Sequence, residues 1–395
     1  MMQDFVFTSE SVTAGHPDKL CDRISDAIVD RFVALDPMAR VEAECAVATG
    51  TLFLAARFAA AIRLDLPSIA REVIAATGYV GGAFDAASCS ILTSLAETTT
   101  AARVEIDEHA LDDAGIEAIP ATHQVTAFGF ACRQTEELMP LPIVLAHRLA
   151  RGLERARAEL PWLMPDGKVQ VAVEYRARRP ARIHAVALTA ALDPDRRPTP
   201  AVLEEALRAR VIEPRFEGAE VRPDARTRVL INPGGAFLVG GPARHAGLTG
   251  RKTAIDTYGE YARHSGAALS GKDPARIDRI GAYAARWAAK NVVAAGLAES
   301  CEVQLSWTIG LARPVSLVVE TFGTGTIAEE TIAKRLEQVF DFRPAAIVRA
   351  FDLRRLPARA QGGFFAKLAS YGQVGRHDLE LPWERLDRAE ALAAG

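Results

Sequence analysis

Paired cysteines, long apolar runs and an excess of basic residues are all missing from this sequence. Its five cysteines are scattered, and none belongs to a Cys-x-x-Cys pair. This spacing excludes a disulfide framework and a zinc site of that type, and it indicates a reducing compartment. No stretch of about 20 uncharged apolar residues, which a membrane-spanning helix needs, is present. A formal net charge of −3 excludes the general basic surface that binds nucleic acid.

The first residues, MMQDFVFTSES, lack the basic region and apolar run of a secretory signal. We therefore expect a cytoplasmic protein without a membrane or nucleic-acid partner. With 395 residues, 49% of them hydrophobic, the chain is long enough for two or three domains with sizeable cores. An anionic ligand would need a local concentration of cations.

Three segments share one pattern, in which a helix with apolar residues at helical spacing breaks and is followed by an alternating strand. The strands begin near Val41, Val169 and Val303, about 130 residues apart. The spacing favours an α+β protein built by domain triplication, although helix–turn–strand units are also common without it. We predict domains at 3–100, 125–238 and 239–395.

The segment 101–124, AARVEIDEHALDDAGIEAIPATHQ, is acidic and has few large apolar residues. A long segment of this kind is typical of a mobile loop, and such loops often close over active sites. A solvated linker is the alternative.

The motif GHPDK, Gly15 to Lys19, precedes a predicted helix. Asp18 falls in its first turn, where the helix dipole favours a carboxylate without any further function. His16 beside it could also contact a phosphate oxygen while Asp18 binds the accompanying Mg²⁺, which proteins hold by one or two carboxylates. The motif PDGKV offers Asp166 and Lys168 in a turn that needs no functional explanation.

Two glycine-containing segments, 240–253 and 270–278, concentrate positive charge. Neither matches the P-loop motif, because Arg251 intervenes before Lys252. Each alone could be a solvated charged surface, but together with GHPDK they outline a metal–polyphosphate site. The basic residues are Arg244, Arg251, Lys252, Lys272 and Arg276.

Over nearly its whole length the sequence resembles the S-adenosylmethionine synthetase family. The matching runs occur in order and include FTSESVTAGHPDKLCDRISDAIVD, LMPLPIVLAHRL, LPWLMPDGKVQV, GLTGRK and DTYGEYARHSGAALSGKDPARIDR. The resemblance implies three similar α/β-sandwich domains with pseudo-threefold symmetry. It also implies a homodimer or a dimer of dimers, with active sites between subunits. The implied reaction joins C5′ of ATP to the sulfur of methionine and hydrolyses the released triphosphate.

The resemblance also assigns roles to residues that match the family's motifs. His16 would contact the oxygen that leaves C5′, Asp166 would hold the ribose, Phe237 would stack on adenine, and Ala268 would line the nucleotide site. The implied phosphate-binding residues are Lys168, Arg251, Lys252 and Lys272. The implied metal ligands are Asp18 and Asp278 for Mg²⁺, and Glu44 for K⁺.

The implied methionine pocket departs from the family pattern. Arg57, in LAARFAA, replaces the glutamate of a Gly-Gly-Glu-Ile run, and Thr98 replaces a glutamine. His123 and His245 replace aspartates, whereas Arg276 keeps the charge of a lysine near methionine's carboxylate. These five residues are the predicted acceptor-binding residues.

Three acids that balance methionine's ammonium group in the family are thereby lost. At about 4 Å and an effective dielectric near 20, reversing one such charge changes the interaction by several kcal/mol. The change favours a thioether acceptor that carries an acid but no free amine. Methionine in a rearranged pocket, or an inactive nucleotide-binding or regulatory paralogue, are the alternatives.

Overall fold

A computed structural model describes residues 4–98, 106–217 and 219–395. The strands are β1 (Phe5–Val12), β2 (Arg40–Ala48), β3 (Thr51–Ala59), β4 (Ser90–Glu97), β5 (Val125–Cys132), β6 (Leu163–Arg176), β7 (Arg179–Leu192), β8 (Arg228–Ile231), β9 (Phe237–Leu238), β10 (Gly247–Leu248), β11 (Ser300–Trp307) and β12 (Ser316–Glu320). The α-helices are α1 (Pro17–Leu35), α2 (Leu66–Thr77), α3 (Asp113–Glu117), α4 (Leu141–Ala156), α5 (Pro200–Leu207), α6 (Thr253–Asp256), α7 (Ile277–Ala294), α8 (Glu329–Val339), α9 (Pro344–Phe351), α10 (Leu356–Arg359), α11 (Phe365–Leu368) and α12 (Ala389–Ala394).

The described strands form three sheets, and one long helix packs on each. The N-terminal sheet has the order β10-β2-β3-β4 and carries α1. The central sheet has the order β1-β6-β7-β8, with β9 also paired to β7, and carries α4. The C-terminal sheet has the order β12-β11-β5 and carries α7. The α+β class and the predicted helix–strand pattern are confirmed.

The sheets exchange strands between distant parts of the sequence. β1 pairs along its whole length with β6, from Phe5↔Tyr175 to Val12↔Lys168. β5 pairs with β11 of the C-terminal sheet, and β10 pairs with β2 of the N-terminal sheet. The three predicted domain ranges are therefore not three separate sheets, and their boundaries stay a prediction.

The apolar residues form two main cores. One is shared by the N-terminal and C-terminal sheets, and the other lies between α4 and the central sheet. α7 is buried along nearly its whole length, from Ile277 to Val293. Among the described helices, none combines the length and apolar character needed to cross a bilayer.

The part of segment 101–124 that the structure describes, residues 106–124, packs on the C-terminal helices. Ile116 of α3 is buried against Ala345 and Ala346 of α9. Both carboxylate oxygens of Glu108 accept hydrogen bonds from Arg354, at 2.8–2.9 Å. Residues 101–105 lie outside the described part of the chain, and the mobility of the segment stays a prediction.

Candidate active site

Four aspartates recur at every fourth position along α1: Asp18, Asp22, Asp26 and Asp30. Residues at this spacing lie on one face of a helix, and all four are at most 4% exposed. Their carboxylates accept backbone N–H groups of Leu248, Gly250, Gly271 and Phe365, respectively, at 3.0, 2.7, 2.8 and 2.9 Å. This aspartate ladder holds both glycine-containing basic segments against the helix.

His16 stands at the start of α1 and is 2% exposed. Pro17 follows it at the first helical position, where its fixed φ suits a helix start. The His16 Nδ1 atom accepts the Asp18 backbone N–H at 3.2 Å. Burial, followed by the nearby charges of Lys168, His245 and Lys252, lowers the pKa of His16 to about 2. The imidazole is therefore neutral at any physiological pH.

Asp166 lies in β6 and its side chain is fully buried. Its Oδ2 atom accepts the Gly241 backbone N–H at 2.8 Å and lies 2.7 Å from His245 Nε2. The ring of His245 is 5.0 Å from that of His16 and 6.4 Å from that of Phe237, centroid to centroid. The predicted leaving-oxygen, ribose and adenine residues therefore share one place.

Positive charge lies close to this place, because the charges of Lys168 and Lys252 act on His16. Lys252 Nζ lies 3.3 Å from Asp18 Oδ2, and Lys168 and Arg251 are exposed. We call the set of His16, Asp18, Asp166, Lys168, His245 and Lys252 the histidine group. Gly250, at φ 76°, lets the segment 240–253 pass close to Ala268. A Cβ at this position would lie 2.3 Å from the Ala268 side chain.

A second set of charged side chains lies beside β2 and the start of α7. Arg276 Nη2 is 2.5 Å from Glu42 Oε1, and Arg276 also contacts His123. Lys272 Nζ is 3.4 Å from Asp278 Oδ1, and burial lowers the pKa of Lys272. We call the set of Glu42, His123, Lys272, Arg276 and Asp278 the arginine group.

Comparison with protein families identifies the chain. It matches the N-terminal domain of S-adenosylmethionine synthetase over residues 4–100, the central domain over 118–237 and the C-terminal domain over 239–385. The chain belongs to the S-adenosylmethionine synthetase family. It is thus a member of an enzyme family, the methionine adenosyltransferases.

Relatives in this family align with nearly the whole chain. The S-adenosylmethionine synthase of Trichormus variabilis is 46% identical over 412 residues, which cover 99% of this chain and 97% of the relative. The synthase of Prochlorococcus marinus subsp. pastoris is 47% identical over 405 residues, with 99% and 98% covered. The synthase of Gloeobacter violaceus is 46% identical over 409 residues, also with 99% and 98% covered.

The five residues predicted to bind the acceptor do not all lie together within one chain. His123 and Arg276 belong to the arginine group, whereas His245 contacts Asp166 in the histidine group. Thr98 follows β4, and its backbone N–H and hydroxyl both donate to the Phe58 carbonyl, at 2.9 and 3.2 Å. Arg57 is exposed on β3. These roles stay predictions.

Glu42 is the residue that motif matching missed. It stands opposite Arg57 in the β2–β3 hairpin, and Glu44 lies on the same face two residues later. Burial raises the pKa of Glu42, but the hydrogen bond and charge of Arg276 outweigh that effect and the net pKa is lowered. The hairpin turn at Thr49 and Gly50 fixes the register, so pairing the strands outward from it would have found Glu42.

Proposed function

We propose that this chain is an ATP-dependent adenosyltransferase. It joins C5′ of ATP to the sulfur of a small methionine-like thioether, and it cleaves the released triphosphate to pyrophosphate and phosphate. The observation that carries the proposal is the buried, neutral His16 close to the charges of Lys168 and Lys252. Family membership and the names of the relatives support it.

The proposed transfer reaction suits His16, Lys168 and Lys252. A thioether sulfur is an uncharged nucleophile, so the reaction needs no general base. Catalysis then depends on positioning and on stabilising the charge of the departing triphosphate. A neutral His16 can donate a hydrogen bond to the oxygen that leaves C5′, while Lys252 and Lys168 stabilise the phosphates electrostatically. Asp166 would hold the ribose hydroxyls and Phe237 would stack on adenine.

The carboxylates of both groups fit Mg²⁺. Asp18 and Asp278 are hard oxygen donors, each within 3.4 Å of a lysine that would also face the phosphates. One or two carboxylates together with phosphate oxygens are the usual ligands of Mg²⁺ in proteins. Bound Mg²⁺ would neutralise charge on the triphosphate. The exposed carboxylate of Glu44 would serve K⁺.

Two copies of the chain would combine the histidine group of one with the arginine group of the other. The outer face of the N-terminal sheet supports a homodimer, since Leu248, Phe53 and Leu92 lie in one row across it and are 47%, 45% and 57% exposed. Glu42 and Arg57 lie on the same face, two rows away. An apolar row beside charged residues is typical of a protein interface.

For the acceptor, we propose a thioether that carries an acid but lacks a free amine. Arg57, His123 and His245 stand where the family has acids, and Arg276 preserves a cation for a carboxylate. A deaminated or N-acylated methionine analogue keeps the sulfur and the anion. It also lacks the ammonium group that these residues would repel.

Methionine itself is the second candidate, and Glu42 favours it. Its carboxylate stands across the hairpin from Arg57, so an acid could still face an ammonium group in this pocket. The inactive-paralogue alternative explains less, because the residues predicted to hold the triphosphate are all retained.

Purified protein with Mg·ATP and either methionine or its deaminated analogue would test the proposal, by mass spectrometry of the products and by kcat/KM. We expect the analogue to be preferred, and Arg57→Glu with His245→Asp to shift preference toward methionine. A large preference of the unmodified enzyme for methionine would show that the charge argument is wrong.

In that case Glu42→Ala should lower kcat/KM for methionine, whereas Glu72→Ala, a surface control, should not. Failure to release phosphate from ATP or triphosphate under all conditions would contradict the enzymatic proposal itself.

A further inference from the structure

The histidine group contains three side chains arranged like metal ligands. One donor atom each from His16, Asp166 and His245 lies within 4.8 Å of the other two. We propose that these three residues bind a divalent transition-metal ion such as Zn²⁺ or Co²⁺ in the nucleotide-free protein, and that the ion and ATP exclude each other. Only the exclusion of ATP rests on the proposed function.

Asp166 supplies the anionic ligand. Its side chain is fully buried, yet its Oδ1 atom has no hydrogen-bond partner among the described residues. Its other oxygen contacts the Gly241 backbone N–H and His245 Nε2. Because a buried carboxylate oxygen without a partner is costly, a cation at this position would satisfy it.

The two imidazoles supply nitrogen. Each imidazole would be neutral and would bind the metal through the lone pair of one ring nitrogen. The other ring nitrogen would carry the proton and would be oriented by a hydrogen-bond acceptor. For His16 that acceptor is Asp18 Oδ2, which lies 3.7 Å from its Nδ1. Metal binding would place the ring proton on Nδ1 and replace the hydrogen bond that Nδ1 accepts from the Asp18 backbone N–H. His16 Nε2 would then face the ion.

His245 provides the access that a metal site needs. Its side chain is 29% exposed, whereas His16 and Asp166 are almost completely buried. An exposed ring can turn to open the 2.7 Å separation between His245 Nε2 and Asp166 Oδ2, since ligands of one ion lie farther apart than a hydrogen-bonded pair. The exposed side leaves an open coordination position for water.

The donor set selects the type of ion. Mg²⁺ prefers a shell made only of oxygen, and two imidazoles disfavour it. Two histidines and one carboxylate with an open position suit Zn²⁺ and neighbouring transition metals. The family pattern has an aspartate at the position of His245, so the second nitrogen ligand is a feature of this chain.

Competition with ATP follows from shared residues. Asp166 and His16 are the side chains proposed to hold the ribose and the leaving oxygen. An ion coordinated by both would occupy that space. Micromolar transition metal would then inhibit the enzyme by raising its apparent KM for ATP, without displacing Mg²⁺ from the carboxylates of Asp18 and Asp278.

Titration of chelator-treated full-length protein with Co²⁺ in the absence of nucleotide tests the site, read by the visible absorption of the bound ion. We expect about one ion per chain, as for a single three-ligand site. We also expect His245→Asp and His245→Asn each to weaken binding at least tenfold, by analogy with the loss of metal-site contacts. His184→Asn is the matched control, because it removes a partly exposed histidine that pairs with Glu174 on the central sheet. Unchanged Co²⁺ spectra in both His245 variants, or no binding by the unmodified protein, would overturn the proposal.

A second titration, with adenosine, tests the exclusion, because adenosine has the ribose and the C5′ oxygen but lacks the triphosphate by which ATP would chelate Co²⁺. Adenosine should remove the Co²⁺ absorption; retention of the spectrum at saturating adenosine would contradict a shared site. These readings do not depend on catalysis. Co²⁺ binding by a protein that makes no adenosylated product would support the metal site and count against the proposed function. Formation of adenosylated product by a protein that binds no Co²⁺ would support the proposed function and count against the metal site.

Discussion

At the scale of single residues, Lys272 should contribute to triphosphate hydrolysis. Its ammonium group is nearly buried beside Asp278, so its attraction for a phosphate oxygen is weakly screened. Lys272→Ala should slow Mg²⁺-dependent hydrolysis of triphosphate by about 1.5–3 kcal/mol, roughly ten- to a hundredfold, the value of a charge-assisted hydrogen bond. Phosphate release measures the rate, and Lys334→Ala on the exposed side of α8 is the control. Equal rates in both variants would remove Lys272 from the phosphate site.

A buried histidine should make stability depend on pH. Burial, followed by the charges of Arg376 and Arg151, lowers the pKa of His147 well below its usual range. The unfolded chain therefore takes up a proton below about pH 6.5 that the folded chain refuses, and stability falls as the pH falls.

His147→Asn should remove this loss, because asparagine does not titrate, and its side chain can still hydrogen-bond to Ser11. Relative to the variant, the unmodified protein should lose stability with a slope approaching about 1.4 kcal/mol per pH unit below pH 6. Urea unfolding at several pH values gives the slope, and His377→Asn, which removes an exposed histidine, is the control. Parallel curves for the unmodified protein and His147→Asn would contradict the assignment.

Motifs indicated which residues to consider better than they indicated which of them lie together. Matching to the family supplied His16, Asp166, Lys252 and Lys272, and the roles that the resemblance implies for them stay predictions. The position of His245 against Asp166 depends on how Gly240 and Gly241, both at positive φ, turn the chain, and no motif encodes that contact. Glu42 was missed because its place in the sequence gives it no role; only the structure shows it opposite Arg57 and in contact with Arg276.

At the scale of elements, a buried ion pair joins the segment containing α3 to the C-terminal helices, beside the ion pairs of Asp113 and Glu117 with Arg343 and the packing of Ile116 on α9. Glu108 and Arg354 have side chains that are 5% and 6% exposed. Breaking a buried pair leaves an uncompensated charge and costs about 3–5 kcal/mol. Arg354→Met should therefore loosen the segment around Glu108 and speed its cleavage by proteases there several-fold, as mapped by mass spectrometry.

Arg359→Met is the matched control, since Arg359 is exposed and pairs with Asp352 at the surface. If the segment closes over bound substrates, Mg·ATP with an acceptor should partly restore protection in Arg354→Met. Identical cleavage patterns in both variants would show that the ion pair does not hold the segment.

At the scale of the whole molecule, the two charged groups make a test of assembly. Under the proposed roles, Lys252→Ala should impair the histidine group and Lys272→Ala should impair the arginine group. If each active site takes one group from each subunit, a heterodimer of the two variants contains one intact site. Co-expression should then restore about a quarter of the unmodified activity, because half of the dimers are mixed and each has one working site.

The control pairs Lys168→Ala with Lys252→Ala, which both lie in the histidine group. No heterodimer of those two variants has an intact site, so no activity should return. Absence of rescue in the first mixture, with mixed dimers verified by differently tagged chains, would place the complete site within one chain.

The helix–strand pattern could be predicted along the sequence because apolar spacing is a local property. The strands predicted to begin near Val41, Val169 and Val303 correspond to β2, β6 and β11, but β6 begins earlier than predicted, at Leu163. Pairing is not local: nothing near Phe5 indicates that β1 joins Tyr175, or that β10 at Gly247 joins Val47. Contacts separated by so many residues require the tertiary structure.

The exchange of strands also sets the order in which this protein can form as it is synthesised. The edge of β2 is completed by Gly247 and Leu248 and by the hydrogen bond from Ala43 to Gly271, so the N-terminal sheet stays open until most of the chain has left the ribosome. A nascent chain with open strand edges is prone to aggregate and depends on slow, long-range pairing. Fragments cut at the predicted domain boundaries will not fold as independent units, because each cut removes a strand from another segment's sheet.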